Sequence, residues 1–221
     1  MAGTLDAKLL NECVEGCAQS HQLLLVSVDA LTAEQFSEPS RLHGWTRAHI
    51  IGHLTMNAQS HVHLIACAMR GEQGQQYPGG LAQRNNDIET ASTWSHEKLG
   101  AELRKAVYLL EGAWAGASLD AWQATATVAS GASIPIHELV FNRWRETVVH
   151  LTDMNIGHEY TQWPPTYVRL ELEKQKMAWA ASHSMGMTLL PQKVMELSEA
   201  RRVAWLLQRE DVEGLPLGPG L

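Results

Sequence analysis

Apolar residues recur at helical spacing through most of this chain. Residues 5–30 carry Leu9, Leu10, Cys13, Cys17, Leu24 and Val28 close to one stripe, the mark of an amphipathic helix. A second helix is predicted over 46–70, after the loop SRLHGW, with Thr46 placed to cap it and Gly71 to end it. Residues 71–82, GEQGQQYPGGLA, read as a Gly- and Gln-rich loop. A third long helix fits 95–115, with Ser95 as its cap and Leu99, Leu103, Val107 and Leu110 on one side. In 116–134 the β-branched residues flank Ser130-Gly131, which fits a short hairpin or an extended crossover. A fourth helix is predicted over 135–158, with Pro135 in its first turn. Trp163-Pro164-Pro165 then interrupts the pattern. Helices follow near 167–187 and 199–209, and the tail GLPLGPGL is expected to hold little fixed structure.

Four long amphipathic helices joined by a long crossover predict a mainly α fold, a four-helix bundle. The expected domains are a bundle over 1–163 and a small C-terminal α or α+β unit over 164–221. Composition agrees: 45% hydrophobic and 19% charged residues suit a globular chain. The net charge of −7 argues against nucleic acid as a partner, so an anionic ligand must meet local arginines. No apolar run is long enough to span a membrane, and the acidic N-terminus lacks a signal core. A cytoplasmic protein is expected, with no membrane partner; the oligomeric state stays open. The three cysteines, Cys13, Cys17 and Cys67, have neither disulfide nor metal-type spacing and read as buried small residues.

The chemistry concentrates on two helices. Glu146 and His150 stand four residues apart in RWRETVVH, one turn apart on one helix face. His53 stands far upstream in GWTRAHIIGH, beside Ile50, Ile51 and Leu54. Two imidazoles and a carboxylate make the donor set of an open catalytic zinc site. The plain alternative is a surface Glu–His pair worth a few tenths of a kcal/mol. Asp153, one turn past His150, is placed to orient its imidazole or to sit solvated. His49, His53, Asn57 and His61 form an i,i+4 ladder; His61 and His63 read as hydrogen-bonded or solvated side chains. Cys67 shares a face with His53 but lies roughly 21 Å along the axis, so a thiol needed at this site must come from a small molecule. No dinucleotide, P-loop, hydrolase-elbow or HExxH motif competes.

Three stretches carry a resemblance: LHGWTRAHIIGHLTMNA at 42–58, RNNDIE at 84–89 and IPIHELVFNRWRETVVHLTDM at 134–154. Together they resemble the mycothiol-dependent maleylpyruvate isomerase family, within the DinB-like metal-binding bundles. The resemblance implies a metal, usually zinc, on His53, Glu146 and His150. It implies a C-terminal catalytic arginine, matched here by Arg209 in AWLLQRED. A dicarboxylate substrate needs cationic clamps, and Arg84 stands behind Arg209 as a substrate-binding candidate. The resemblance also implies a low-molecular-weight thiol, mycothiol or else glutathione or cysteine. The activity implied is cis–trans isomerisation of the dicarboxylate maleylpyruvate to fumarylpyruvate, in gentisate-type aromatic catabolism. Two alternatives keep the bundle: a metal-dependent thiol S-transferase acting on a small electrophile, and a non-enzymatic, metal-stabilised binding module. With only about 56 residues after Pro165, a C-terminal part shorter than the family's is expected.

Overall fold

A computed structural model describes residues 5–182 and 189–220 of the chain. Contacts divide it into two compact units, Met1–Ile156 and Gly157–Leu221. The first unit contains α1 (Ala7–Asp29), α2 (Ala33–Phe36), α3 (Arg47–Met69), α4 (Gly80–Ser92), α5 (His96–Gly116), α6 (Leu119–Gln123), the strands β1 (Thr125–Thr127) and β2 (Ser133–Pro135), and α7 (Glu138–Asp153). α1, α3, α5 and α7 are the four bundle helices. α3 packs on α5 and α7, and α1 on α7 and α5.

Local chemistry sets the helix starts. Asp6 accepts hydrogen bonds from the amides of Lys8 and Leu9, and Ser95 from that of Lys98. Thr46 caps α3 by accepting from the His49 amide, while His49 Nδ1 receives the Thr46 amide. His49 thus takes the place Glu or Gln holds in a capping box. Leu24, Val28, Ile50, Ile51, Leu54, Leu99, Leu103 and Val107 are buried in one apolar cluster. Truncating one such leucine to Ala costs ~2–5 kcal/mol. Leu9, read as part of the first stripe, is exposed instead.

Some elements depart from the sequence pattern. α4 fills part of a region where no helix was expected. It buries only Ile88 and Ala91 in full, so little apolar periodicity marks it. It lies close on α3: a Cβ at Gly52 would stand 3.1 Å from the Ala91 Cβ. Pro135 is not in the fourth helix. It ends β2, whose antiparallel register pairs Thr125 with Pro135 and Thr127 with Ser133, and α7 begins only at Glu138. Of the two readings of 116–134, the hairpin is the one formed. Gly131 turns it with a φ of +83°, open to glycine at little steric cost.

The second unit holds a short turn of helix at Tyr160–Gln162, α8 (Pro165–Ser182), α9 (Gln192–Met195) and α10 (Glu199–Leu206). The Tyr160–Gln162 turn packs with α10, so this unit begins before Trp163-Pro164-Pro165. The stretch 183–187 of the expected 167–187 helix lies outside the described residues. The tail is not loose. Trp205 Nε1 donates to the Pro216 carbonyl at 3.1 Å, and the Gly220 amide donates to the Leu206 carbonyl at 3.0 Å. Among the described residues no helix is long and apolar enough to cross a membrane.

Candidate metal centre

The start of α3 is stapled to the end of α7. Arg47 is buried and donates from Nε to the Met154 carbonyl at 2.8 Å and from Nη2 to the Asn155 carbonyl at 3.0 Å, while Nη1 meets the Glu38 carboxylate. The Arg41 amide donates to the Asp153 carbonyl at 2.8 Å. Asn155 closes α7 with a φ of 55°, a left-handed conformation that Asn adopts more readily than most residues. The two helices therefore run antiparallel, and His53 comes to face the last turns of α7.

His53, Glu146 and His150 converge. His53 Nε2 lies 2.7 Å from Glu146 Oε2, and His150 Nε2 lies 3.3 Å from the same oxygen. All three candidate ligand atoms fall within 4.8 Å of one another. The two imidazoles meet edge to face, centroids 4.8 Å apart. Both are buried, whereas the Glu146 side chain keeps 29% exposure, which marks the open side of the group. Asp153 is fully buried and accepts from His150 Nδ1 at 2.8 Å. That bond keeps the proton on Nδ1 and turns Nε2 toward Glu146, the tautomer a ligating imidazole needs. The Trp45 ring lies 5.8 Å from His53. Two nitrogens and one carboxylate oxygen at these separations fit a borderline divalent ion such as zinc.

Charge is distributed unequally over the group. Burial holds the His53 imidazole below its ordinary pKa and outweighs the pull of Glu146. Burial alone would raise Glu146, but the two imidazoles beside it hold the carboxyl well below its usual range. Burial also opposes a proton on His150, yet the hydrogen bonds to Asp153 and Glu146 prevail and push it up to about 9. In this arrangement Glu146 is anionic, His150 cationic and His53 neutral.

Arg84, on α4, points its Nη2 at His53 Nδ1, 2.9 Å away, and its guanidinium stands 5.8 Å from the Tyr77 ring centre. The unexpected helix thus carries the arginine to the metal group. Arg209 belongs to the second unit, where its Nη1 donates to the Leu207 carbonyl at 2.7 Å.

Residues 17–155 match the sequence family described as "Mycothiol maleylpyruvate isomerase N-terminal domain". The chain belongs to this family. Two crystal structures that share its fold are a mycothiol-dependent maleylpyruvate isomerase, 24% identical with a TM-score of 0.85, and a histidine-to-alanine mutant of a mycothiol-dependent maleylpyruvate isomerase, 22% identical with a TM-score of 0.85. Each alignment covers 96% of this chain and 97% of the other. At this identity the likeness establishes the fold. No curated protein matches the chain. Within the mycothiol maleylpyruvate isomerase N-terminal domain match lie His53, Arg84, Glu146, His150 and Asp153; Arg209 lies beyond it.

Beyond the predicted residues, the mycothiol maleylpyruvate isomerase N-terminal domain carries a buried polar seam leading away from the metal group. Asn57 and His61 continue the His53 ladder along α3, and Arg143 of α7 faces them. Arg143 Nη1 donates to Asn57 Oδ1 at 2.9 Å. His61 is buried, not solvated, and its Nδ1 finds no partner among the described residues. Burial, with Arg143 nearby, lowers its pKa to about 3. The available signal is periodicity: 143, 146, 150 and 153 share a stripe, which puts Arg143 on the same face as the two α7 candidates.

Proposed function

We propose that this chain is a metal- and thiol-dependent cis–trans isomerase that converts maleylpyruvate to fumarylpyruvate. The observation that carries this reading is the convergence of His53, Glu146 and His150 on one open-sided group, with Asp153 bonded to His150 Nδ1 so that Nε2 faces the group. Membership of the mycothiol maleylpyruvate isomerase N-terminal domain family supports the substrate and the thiol.

The three side chains would hold zinc. Bound there, the ion supplies positive charge that makes a thiol more acidic and offsets negative charge developing on the substrate. A small-molecule thiol, mycothiol first and glutathione or cysteine otherwise, supplies a nucleophile whose reversible addition to the conjugated alkene frees the bond to rotate. The chain's own residues do the rest. Asp153 retains the His150 Nδ1 proton throughout. Trp45 screens His53 on its apolar flank. Ligation through His53 Nε2 places that ring's proton on Nδ1, where Arg84 cannot donate, so the guanidinium turns to another acceptor. A substrate carboxylate is such an acceptor, and the planar fork of arginine suits it. Arg209 is proposed as the second carboxylate-binding arginine, on the family resemblance.

The test is to load purified protein with zinc and follow maleylpyruvate loss with mycothiol, glutathione or cysteine added in turn. Fumarylpyruvate should form with the thiol recovered, and about one divalent ion should be found per chain. His53→Ala, Glu146→Gln and His150→Ala should each lose the ion and the activity. A stable thioether product would make the protein a transferase, and full metal content in all three variants would place the site elsewhere.

A further inference from the structure

Arg143 is the residue this functional reading leaves unexplained. It is fully buried on α7, three positions before Glu146. Its guanidinium is held by neutral groups. Nη1 donates to the Leu54 carbonyl at 2.8 Å and to Asn57 Oδ1 at 2.9 Å; Nε donates to His21 Nε2 at 3.0 Å. His21 in turn gives its Nδ1 proton to Glu111 Oε1 at 2.9 Å. Burial lowers the His21 pKa to about 4, so the imidazole is neutral and can accept from Arg143. One hydrogen-bonded chain thus joins α7, α3, α1 and α5.

Stability alone does not account for an arginine here. No carboxylate contacts the guanidinium directly among the described residues, and Nη2 has no partner among them. A buried charge compensated this poorly costs several kcal/mol, and a well-packed apolar side chain often does as well or better. Nor is Arg143 needed to hold α1 on α7. Trp144 does that: its ring fills the space over Gly16, and its Nε1 donates to Ser20 Oγ at 2.9 Å.

Arg143 touches the α3 backbone beside His53. Leu54 follows His53 directly, and Asn57 lies one turn on. Apolar contacts between two helices tolerate small slides and rotations, and a slip of one residue is only ~1.5 Å. A metal site does not tolerate them, because ligand distances must hold to about ±0.2 Å. We infer that Arg143 is a positioning residue: its fork fixes the axial and rotational register of α7 on α3, and so the placement of Glu146 and His150 against His53. The inference rests on the metal reading proposed above.

Cobalt(II) tests it, since its visible absorption reports coordination geometry independently of catalysis. Wild type, Arg143→Met and Arg143→Lys would be titrated with Co(II) against a competing chelator, well below their melting temperatures. Both variants should bind Co(II) ~10–100-fold more weakly, the range seen when groups that orient ligands are lost, with shifted absorption bands. Lysine should not rescue, because it keeps the charge and loses the fork. A residue that only stabilises the fold would change the melting temperature and leave affinity and spectrum alone. A folded Arg143 variant with wild-type affinity and spectrum therefore overturns the inference. Should neither variant fold, Asn57→Leu removes a single acceptor: a weaker, shifted Co(II) site supports the role, and an unchanged one overturns it. If wild type takes up no Co(II), the metal reading itself fails and the inference falls with it, an outcome distinct from equal binding by wild type and variants.

Discussion

Metal uptake at this site should release about one proton, and its affinity should climb with pH. Ligation needs a lone pair on Nε2 of both imidazoles. His53 is already neutral, because burial holds its pKa down. Glu146 is already ionised, held well below its usual range despite burial. Only His150 carries a proton to be displaced, since Asp153 and Glu146 raise it to about 9 against the effect of burial. At pH 7, two units lower, roughly one chain in a hundred has His150 neutral, so apparent affinity is reduced ~100-fold, about 2.7 kcal/mol. The affinity should rise about tenfold per pH unit between 6 and 8 and level off above 9. Stability without metal has the opposite slope. A folded-state pKa above the unfolded value stabilises the fold below about 6.5, by roughly 3 kcal/mol for this shift, and that contribution is lost as pH rises through 9. The gap between metal-loaded and metal-free melting temperatures should therefore widen from pH 6 to 9. Titration calorimetry in two buffers of different ionisation enthalpy counts the protons, and chelator competition at several pH values gives the slope. A flat affinity profile with no proton released would refute the charge distribution read from the His150–Asp153–Glu146 contacts.

Two further outcomes follow from the same geometry. Cys13, Cys17 and Cys67 are buried and form no disulfide, and burial pushes the Cys17 thiol up and away from thiolate chemistry. A variant with all three replaced by serine should keep metal binding and thiol-dependent turnover, and loss of turnover in a folded, metal-loaded triple variant would contradict this. Arg84→Lys and Arg209→Lys should each keep metal content but lower kcat/KM about tenfold or more, about 1.4 kcal/mol of transition-state stabilisation. Wild-type kinetics for Arg84→Ala or Arg209→Ala would remove that arginine from the substrate site.

Much of this molecule can be read along the chain because its long helices obey one rule each. α1, α5 and α7 carry apolar stripes several turns long, α3 is buried over most of its length, and Thr46 and Ser95 mark two starts through caps that the structure forms. α4 breaks the rule: thirteen residues with two buried side chains leave little period to detect, so no element is predicted over most of the helix that brings Arg84 to His53. Pro135 misled for a different reason. Proline suits a first helical turn and equally the end of a short strand, and only the pairing with Thr125 decides between them. The tail, rich in Gly and Pro, gave no period, yet it is fastened to Trp205, Leu206 and Gln208 by bonds to backbone groups. Backbone partners of that kind are invisible in composition.

The meeting of His53, Glu146 and His150 is partly legible because polar side chains on a buried helix face need a reason. Removing a polar group from water costs free energy unless something pairs with it. α3 buries His53, Asn57 and His61 on one line, and α7 buries Arg143, His150 and Asp153 beside the half-open Glu146. Spacing alone could say that each line exists. It could not say that the lines face one another, since Glu146 and His53 are 93 positions apart. Residue type alone does not separate Arg143 from Arg145, two residues along the same basic run, because an arginine in a helix is by default a solvated side chain. The stripe decides: Arg143 shares it with Glu146, His150 and Asp153 and is buried, whereas Arg145 reaches out over the Phe141 ring. A functional helix in such a bundle is thus best read by asking which polar residues fall on the apolar side of its period. On α7 that question selects the two proposed ligands, the carboxylate that orients one of them, and the arginine that holds the helix in register.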